Sequence, residues 1–433
     1  MEYLPIIVLV VSFVGLLLIG VPVAWSIAIS ALLTMMTSIS MLPALTTVSQ
    51  RIATGLDSFA LLAIPFFVLS GQLMNKGGIA HRLIDFAKTL IGSLPGGLAL
   101  INVVAAMLMG AIAGSAMASA SAMGSILGPE MEKEGYSKEF GAAVNITSST
   151  VGLVIPPSNV LIVYSLASGG VSIAALFLAG YIPGILTGLF LMIVASFWAK
   201  KKGFKRGERS SMKAVVRTFV RAFPSLMLLV VVMGGIVAGI FTATEASAIA
   251  VLYTLVLGYY YKEIKTKDLP QILLESSGTT AIVMLLIGAS MSMSWVLSYE
   301  NIPQDLSNLL LGLSDNPIVI LLIINVLLLL VGIFMDMTPA VLIFTPIFLP
   351  IIEKLGMDPV HFGIVMVLNL CIGLCTPPVG SVLFVGVGIA NTTIEKVVKP
   401  LMPLFVAMII ALLLVTYIPE LSLWLPGLFG LLN

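Results

Sequence analysis

Hydrophobic runs, each ended by charged residues or by Gly and Pro, recur along the whole chain. Crossing a bilayer takes about 20 consecutive apolar residues of α-helix. Runs close to that length occupy residues 3–20, 21–38, 56–74, 173–198, 222–240, 246–261, 277–298 and 400–418. Two weakly polar regions, 96–170 and 317–391, interrupt the series. The pattern predicts an all-α polytopic membrane protein whose helices are broken in two places.

The composition narrows the class further. Of the 433 residues, 59% are apolar and 9% are charged, whereas a soluble domain carries about 25% charged residues. Soluble and disordered classes are therefore excluded. The net charge of +1 argues against nucleic-acid binding, and two cysteines cannot form a disulfide framework. The 39 Gly and 23 Pro indicate deliberate interruptions of helices. The sequence contains no Gly-rich nucleotide-binding loop, so nothing in it indicates ATP hydrolysis.

Basic residues predict the orientation of the chain. Nine Lys and Arg side chains accompany a single acid, Glu208, in residues 199–221. Three more lysines lie in residues 262–267. Since cytoplasmic loops are rich in Lys and Arg, both segments are predicted to be cytoplasmic, which puts both termini in the periplasm. Residues 199–221 are thus a predicted basic cytoplasmic linker, with binding of an anionic partner as the alternative. Residues 3–20 lack a basic segment before them and are predicted to be a first span, not a signal peptide.

The two interrupted regions resemble each other at an offset of 221 residues. The matched pairs are Pro129 and Pro350, Glu132 and Glu353, Lys133 and Lys354, Gly135 and Gly356, Val144 and Val365, Gly152 and Gly373, Leu153 and Leu374, Pro156 and Pro377, and Pro157 and Pro378. This predicts repeats over 1–198 and 222–433, with scaffold segments 1–55 and 222–261. Each repeat would hold five full spans plus one re-entrant segment, and an odd number of spans turns the second copy upside down. Inverted-topology repeats are typical of secondary transporters.

Each repeat is predicted to contain a re-entrant hairpin followed by a broken helix. The hairpins are 96–134 and 317–355, and the broken helices are 137–170 and 360–391. Doubled prolines remove backbone donors and cannot continue an α-helix, so nearby carbonyls become free. Broken backbone at membrane depth is tolerated only against protein or a wet cavity. These breaks are therefore the candidate binding regions.

Free carbonyls and hydroxyls form an oxygen-only ligand set that suits Na⁺, and helix N-termini beside it attract an anionic substrate. We predict two Na⁺ sites, one per repeat. The first would use Ser115, Ser119, Gly152 and Pro156; the second would use Asp336, Thr338, Gly373 and Thr376. The candidate substrate contacts are Asn145, Ser149, Asn159 and Thr376.

Asp336 is the strongest single candidate. A carboxylate at membrane depth costs about 3 kcal/mol unless it is paired, so it is a functional candidate by default. The alternative is a cap hydrogen-bonded to nearby backbone amides. For Asn145 and its polar neighbours the alternative is hydrogen bonding between helices. Cys371 and Cys375 are predicted to serve packing, because a metal site there lacks further ligands.

Four motifs carry a resemblance to a known family. They are Gly-Pro-Glu-Met at 128–131, Ile-Pro-Pro-Ser-Asn at 155–159, Met-Asp-Met-Thr-Pro at 335–339 and Thr-Pro-Pro-Val-Gly at 376–380. With these motifs the whole chain resembles the large membrane subunit of tripartite ATP-independent periplasmic (TRAP) transporters. The resemblance implies a Na⁺-coupled importer of an organic acid in the bacterial inner membrane. It also implies an elevator mechanism, in which hairpins and broken helices move against a scaffold.

The resemblance further implies two partners, a small four-span membrane subunit and a soluble periplasmic substrate-binding protein. Within the family the chain is most similar to the sialic-acid (N-acetylneuraminate) branch, with C4-dicarboxylate importers as the alternative. A self-sufficient Na⁺/dicarboxylate symporter is a second hypothesis. A channel or a membrane enzyme is a third, although no cluster of ionisable residues favours an enzyme.

Overall fold

The computed structural model describes residues 4–204, 211–314 and 316–432, and these residues form α-helices and short 3₁₀ turns with no strand among them. The first half contains α1 Leu4–Leu18, α2 Val23–Met35, α3 Met41–Leu56, α4 Ala63–Lys76, α5 Ile79–Ile91, α6 Gly97–Ala113, α7 Ala116–Lys133, α8 Lys138–Val151, α9 Asn159–Ala167 and α10 Ile173–Lys202. The second half contains α11 Met212–Val237, α12 Ala243–Tyr260, α13 Leu269–Tyr299, α14 Ile302–Leu313, α15 Pro317–Phe334, α16 Met337–Lys354, α17 Pro359–Gly373, α18 Ser381–Ile389, α19 Ile394–Tyr417 and α20 Glu420–Leu428.

The prediction of an all-α polytopic membrane protein is confirmed. Within the described ranges, seven helical segments are long and apolar enough to cross a membrane. They are Phe59–Lys76, Ile173–Lys202, Met212–Val237, Thr266–Tyr299, Pro317–Phe334, Met337–Lys354 and Ile394–Tyr417. Of the predicted basic linker, residues 205–210 lie outside the described part of the chain, and so does Asp315.

The helix boundaries repeat with the same offset as the sequence. The hairpin arm α16 begins and ends 221 residues after α7, and α17 begins 221 residues after α8. The doubled prolines occupy the same place in both halves, between α8 and α9 and between α17 and α18. Both Pro–Pro bonds are cis. The repeat thus extends from single residues to whole helices.

Contacts between α8 and α17 show how the two halves are related. The Cys371 thiol lies 3.1 Å from the Thr150 carbonyl oxygen, and these two residues are 221 positions apart. Four residues later, just beyond the end of α17, the Cys375 thiol lies 3.5 Å from the Ile146 carbonyl oxygen, one turn earlier on α8. The two helices therefore run antiparallel. Because they are equivalent elements, the two repeats are inverted relative to each other.

These two helices form the centre of the molecule. Every residue of α8 from Phe140 to Val151 is buried, and so is every residue of α17 from Val360 to Gly373. All but one of the buried hydroxyls on α8 donate to carbonyls of their own helix, as Thr147 does to Ala143 at 2.9 Å. Such bonds satisfy a polar side chain without a partner on another helix. The long helices α10 and α19 pack against each other and cover this centre.

Four helices do not appear among the predicted hydrophobic runs: α3, α5, α14 and α20. The first three carry polar residues at close intervals, so none of them forms a continuous apolar run. In addition, α10 continues through Lys202 and α11 begins at Met212, so both helices extend into the predicted linker. Lysine and arginine are good helix formers, and a helix end that leaves the bilayer can carry them.

Candidate functional site

The tips of the two hairpins meet at one cavity of about 410 Å³, which we call the central cavity. Its lining includes Gly114 to Ala118 from the first tip, Asp336 to Thr338 from the second, and Asn159 at the start of α9. The opposite wall is formed by α4 and α13. The cavity therefore lies between the hairpins and two helices that belong to neither hairpin.

The first tip is shaped by Gly114 and Ser115. Gly114 ends α6 with φ +60°, a left-handed conformation that glycine adopts without steric cost. Ser115 then begins α7, and its hydroxyl accepts a hydrogen bond from the Ala118 amide at 3.3 Å. A Cβ added to Gly114 would lie 2.6 Å from Nδ2 of Asn159. The first tip thus rests against the start of α9.

The second tip places Asp336 in the cavity without a neutralising partner. Asp336 begins α16, yet its carboxylate makes no side-chain cap hydrogen bond. It is exposed to the cavity, and none of the ion pairs among the described residues includes it. The helix before it is held by the Gly380 amide, which donates to the Ile333 carbonyl at 3.0 Å. The carboxylate thus faces the cavity without a positive partner, and its functional role stays a prediction beside the capping alternative.

Four helix N-termini converge on the central cavity. The first turns of α7, α9, α16 and α18 contribute Ala116, Asn159, Met337 and Val382 to its lining. The first amides of a helix have no partner within the helix, and the helix dipole adds a partial positive charge there. Such termini bind anions. The cavity thus favours an anionic ligand although no Lys or Arg lines it.

Close backbone contacts join each hairpin to the neighbouring broken helix. A Cβ added to Gly152, at the end of α8, would lie 2.5 Å from Cα of Gly110 in the first hairpin. A Cβ added to Gly373, at the end of α17, would lie 2.5 Å from Cα of Gly332 in the second. Gly152 and Gly373, both predicted site residues, therefore allow the two backbones to approach each other closely. This contact places the first arm of each hairpin directly beside the helix break.

The remaining predicted site residues do not line the central cavity. Ser119 donates to the Ala106 carbonyl at 3.4 Å, within the first hairpin. Thr376, just after α17, donates to the carbonyl of Ile372 in that helix at 2.7 Å. Ser149 is buried with no hydrogen-bond partner for its hydroxyl, and Pro156 is buried as well. Asn145 lines a second cavity of about 200 Å³ at the other end of α7.

Three polar residues on the opposite wall were not among the predicted site residues. Gln72 and Asn75 lie one turn apart on α4, and Thr279 lies on α13. The Asn75 side-chain oxygen is buried without a hydrogen-bond partner. Asn and Gln inside an otherwise apolar span were the available signal, because polar groups at membrane depth are costly unless they are used. This wall can contact a ligand held between the hairpin tips.

Taken together, the lining of the central cavity offers some groups that suit an anion and others that suit a cation. Helix N-termini offer amides to the anion, whereas the Asp336 carboxylate and the Thr338 hydroxyl offer oxygen atoms to a hard cation. Ser115, Asn159, Asp336 and Thr338 are the predicted residues that the structure brings together here. A membrane protein with such a cavity between two inverted repeats fits the transporter architecture.

Comparison with known proteins gives the same class. Residues 10–421 match the family described as tripartite ATP-independent periplasmic transporter, DctM component. The uncharacterized protein YgiK of Salmonella typhimurium is 54% identical over 99% of each chain. The C4-dicarboxylate TRAP transporter large permease protein DctM of Rhodobacter capsulatus is 38% identical over 96% of this chain and 98% of its own. The sialic acid TRAP transporter large permease protein SiaM of Vibrio cholerae is also 38% identical, over 96% and 97%.

A solved structure supports the fold. The Alcanivorax borkumensis YdaH transporter superposes with a TM-score of 0.65, covering 92% of this chain and 91% of that one at 13% sequence identity. The likeness shows that this arrangement of helices occurs in a membrane transporter. The family match over residues 10–421, with relatives 38% identical over nearly the whole chain, establishes that the chain belongs to the DctM component family, the large permeases of TRAP transporters.

Proposed function

We propose that this large permease imports a small organic anion together with Na⁺, and that hairpins and broken helices move as an elevator against the other helices. The observation that carries the proposal is the central cavity, where four helix N-termini and the Asp336 carboxylate converge. The helix N-termini favour the anion. The negatively charged Asp336 carboxylate favours the binding of a cation.

Electrostatics couples the two ligands. Two unit charges 4 Å apart interact by about 1 kcal/mol in water and about 4 kcal/mol at an effective dielectric constant of 20. An anionic substrate beside an unpaired Asp336 is repelled by an amount in this range. A Na⁺ ion between them converts the repulsion into attraction, so each ligand strengthens the binding of the other. This reciprocity is what a symporter needs.

The proposed ion ligands follow the two-site prediction. In the second repeat, Asp336 and Thr338 face the central cavity, and Gly373 and Thr376 lie at the neighbouring break. In the first repeat, Ser115 faces the cavity, whereas Ser119, Gly152 and Pro156 lie behind it. We propose the second set as the Na⁺ site that is coupled most directly to the substrate, because it holds the carboxylate.

The proposed substrates are sialic acid and a C4-dicarboxylate. Relatives named for these two substrates are equally similar to this chain, at 38% identity. Both substrates are carboxylates, which the convergent helix N-termini suit. The wall residues Gln72, Asn75 and Thr279 add neutral hydrogen-bonding groups that fit a hydroxylated or acylated anion.

The proposed partners are the small four-span membrane subunit and a soluble periplasmic protein that delivers the substrate. This assembly would sit in the bacterial inner membrane with both termini of the chain in the periplasm. Direct testing uses proteoliposomes that hold the chain with or without the two partners from its own genomic neighbourhood. We expect saturable, Na⁺-dependent uptake of N-acetylneuraminate or succinate only with both partners present.

The second candidate function is a self-sufficient Na⁺/dicarboxylate symporter of similar architecture. Uptake by the chain alone, driven by a Na⁺ gradient, would favour this candidate over the tripartite importer. Unsaturable ion current in the same vesicles would indicate a channel and contradict both. Equal uptake with and without Na⁺ would remove the coupling from the proposal while leaving transport in place.

A further inference from the structure

A separate cavity of about 770 Å³ lies where α5, the first half of α11 and the end of α12 meet. We call it the interfacial cavity. It shares no lining residue with the central cavity. Its charged lining residues are Arg82, Asp85, Arg221 and Glu263, with His81 beside them. Neither the family match nor the proposed transport cycle gives this cavity a role.

Arg82 is held in place by several contacts. Its guanidinium carbon lies 3.6 Å from the centre of the Tyr261 ring, in a cation–π arrangement. One of its nitrogens donates to the Gly78 carbonyl at 2.7 Å. Another lies 3.9 Å from a Glu263 carboxylate oxygen, which is too far for a hydrogen bond. A guanidinium has five N–H donors, so this oriented side chain has donors left for a ligand.

The other two charged side chains, Arg221 and Asp85, have no such contacts. Both residues are exposed, and neither takes part in an ion pair or side-chain hydrogen bond within the described ranges. The interfacial cavity thus presents two guanidinium groups and two carboxylates. A simple anion would be attracted by one pair and repelled by the other. A zwitterion that carries both a phosphate and an ammonium group satisfies both pairs.

Exposed apolar side chains continue from this cavity toward the middle of the membrane. On α12 they are Tyr260, Val256 and Leu252, each one turn from the next, and on α11 they are Phe223 and Val230. The two helices pack against each other, so this apolar surface is made of exposed side chains on neighbouring helices. A ligand with acyl chains fits this surface, whereas a free phosphate compound would leave it uncovered.

We propose that the interfacial cavity binds the headgroup of a phospholipid with a primary amine. Its phosphate lies at Arg82 and Arg221, its ammonium group at Asp85 and Glu263, and its acyl chains along α11 and α12. The basic residues at this end of α11 place the site in the cytoplasmic leaflet. Because α5 packs against both α11 and the hairpin arm α6, the lipid supports the junction between scaffold and hairpin.

Native mass spectrometry of the full chain, titrated with dioleoyl-phosphatidylethanolamine, phosphatidylglycerol or phosphatidylcholine, tests the assignment. We expect Arg221→Gln to weaken binding of phosphatidylethanolamine and phosphatidylglycerol about fivefold, the effect of one basic charge near a membrane surface. We expect Asp85→Asn to weaken phosphatidylethanolamine alone. The matched controls are Lys267→Gln and Glu134→Gln, which remove exposed charges outside the cavity and should change neither lipid.

Each other outcome overturns the proposal. Unchanged phosphatidylethanolamine binding in both cavity variants would show that the lipid binds elsewhere. Tighter binding of both lipids in Asp85→Asn would show a site for anions and not for zwitterions. Competition by soluble phosphoethanolamine as strong as that by the lipid would show that the apolar surface contributes nothing. Arg221 and Asp85 are exposed, and thermal unfolding of each variant checks that it is folded.

Discussion

At the scale of single residues, Ser115 and Asp336 hold the same place in the two repeats but make different contacts. Each begins the second arm of its hairpin, and they are 221 positions apart. The Ser115 hydroxyl caps α7, whereas the Asp336 carboxylate leaves α16 uncapped and faces the cavity. The inverted repeats therefore produce an asymmetric site with one carboxylate. This asymmetry concentrates the proposed cation binding in the second repeat.

Replacement of Asp336 by Asn tests that role. The amide keeps the size of the side chain and removes its charge, so the attraction to a cation, about 1–4 kcal/mol at 4 Å, is lost. We expect Na⁺-dependent uptake to fall by about tenfold or more, with a higher Na⁺ concentration at half-maximal rate. Uptake in proteoliposomes that contain the partner proteins, measured across a Na⁺ series, gives both quantities.

The matched control is Asp305→Asn, which removes an exposed acid on α14 outside the central cavity. This variant should keep the Na⁺ response of the original chain. Membrane insertion of both variants is compared by fluorescence-detected size exclusion. A normal Na⁺ response in Asp336→Asn would remove this carboxylate from the coupling site.

Two predicted residues that line the central cavity, Asp336 and Asn159, stand out in the sequence for a physical reason beyond polarity. Asp336 is a candidate because an unpaired charge at membrane depth raises the free energy of the folded protein, and Asn159 is one because it follows a helix break. Asn145 belongs to a polar cluster, and Ser149 and Thr376 lie near the helix breaks, but neither polarity nor closeness to a break says which way a side chain faces. The structure places them outside the central cavity. Side-chain direction depends on packing between repeats that no local pattern encodes.

At the scale of elements, the two glycine contacts determine how closely each hairpin approaches its broken helix. The close pairs Gly110–Gly152 and Gly332–Gly373 recur in both repeats. In each pair the nearest neighbours are backbone atoms, which cannot move aside as the end of a flexible side chain can. Close backbone approach at small residues is the usual basis of helix contact in membranes.

Replacement of Gly152 by Ala should therefore separate the first hairpin from α8. The added Cβ would lie 2.5 Å from Gly110 Cα, and overpacking of this kind costs about 1–3 kcal/mol. We expect a lower temperature of unfolding in detergent and reduced uptake. Gly234→Ala on α11 is the control, because its Cβ would meet nothing within 4 Å and alanine favours helix. Equal stability of the two variants would contradict the tight contact.

Hairpins and broken helices could be predicted from sequence because the repeat supplies each one twice. The arms of the second hairpin begin at Pro317 and Met337, within the predicted 317–355. In contrast, α3, α5 and α14 have no long apolar run, and only their packing against longer helices makes them stable. Hydropathy alone therefore predicts the spanning helices more completely than the amphipathic ones.

At the scale of the whole molecule, the central cavity exists only because both repeats contribute to it. Neither hairpin tip alone brings helix N-termini to the cavity from both sides. The opposing wall on α4 and α13 belongs to neither hairpin, so sliding of one part against the other changes which wall residues face the ligand. On α13, Thr279 faces the cavity now, and Ser290 lies three turns further along a similar face.

Crosslinking along α13 tests this elevator movement. A cysteine in place of Met117, at the first hairpin tip, is paired either with Thr279→Cys or with Ser290→Cys. We expect the first pair to crosslink in one ligand condition and the second pair in another, because the tip would move along α13 by about 1.5 Å for each residue passed. The native Cys371 and Cys375 are fully buried and do not compete with the introduced cysteines for the crosslinker.

Crosslinking of Met117→Cys to Thr279→Cys alone, with and without Na⁺ and substrate, would mean a fixed hairpin and contradict the elevator. Crosslinking of both pairs, with Na⁺ and substrate shifting the balance between them, would show that the hairpin tip takes two registers along α13, as the elevator requires.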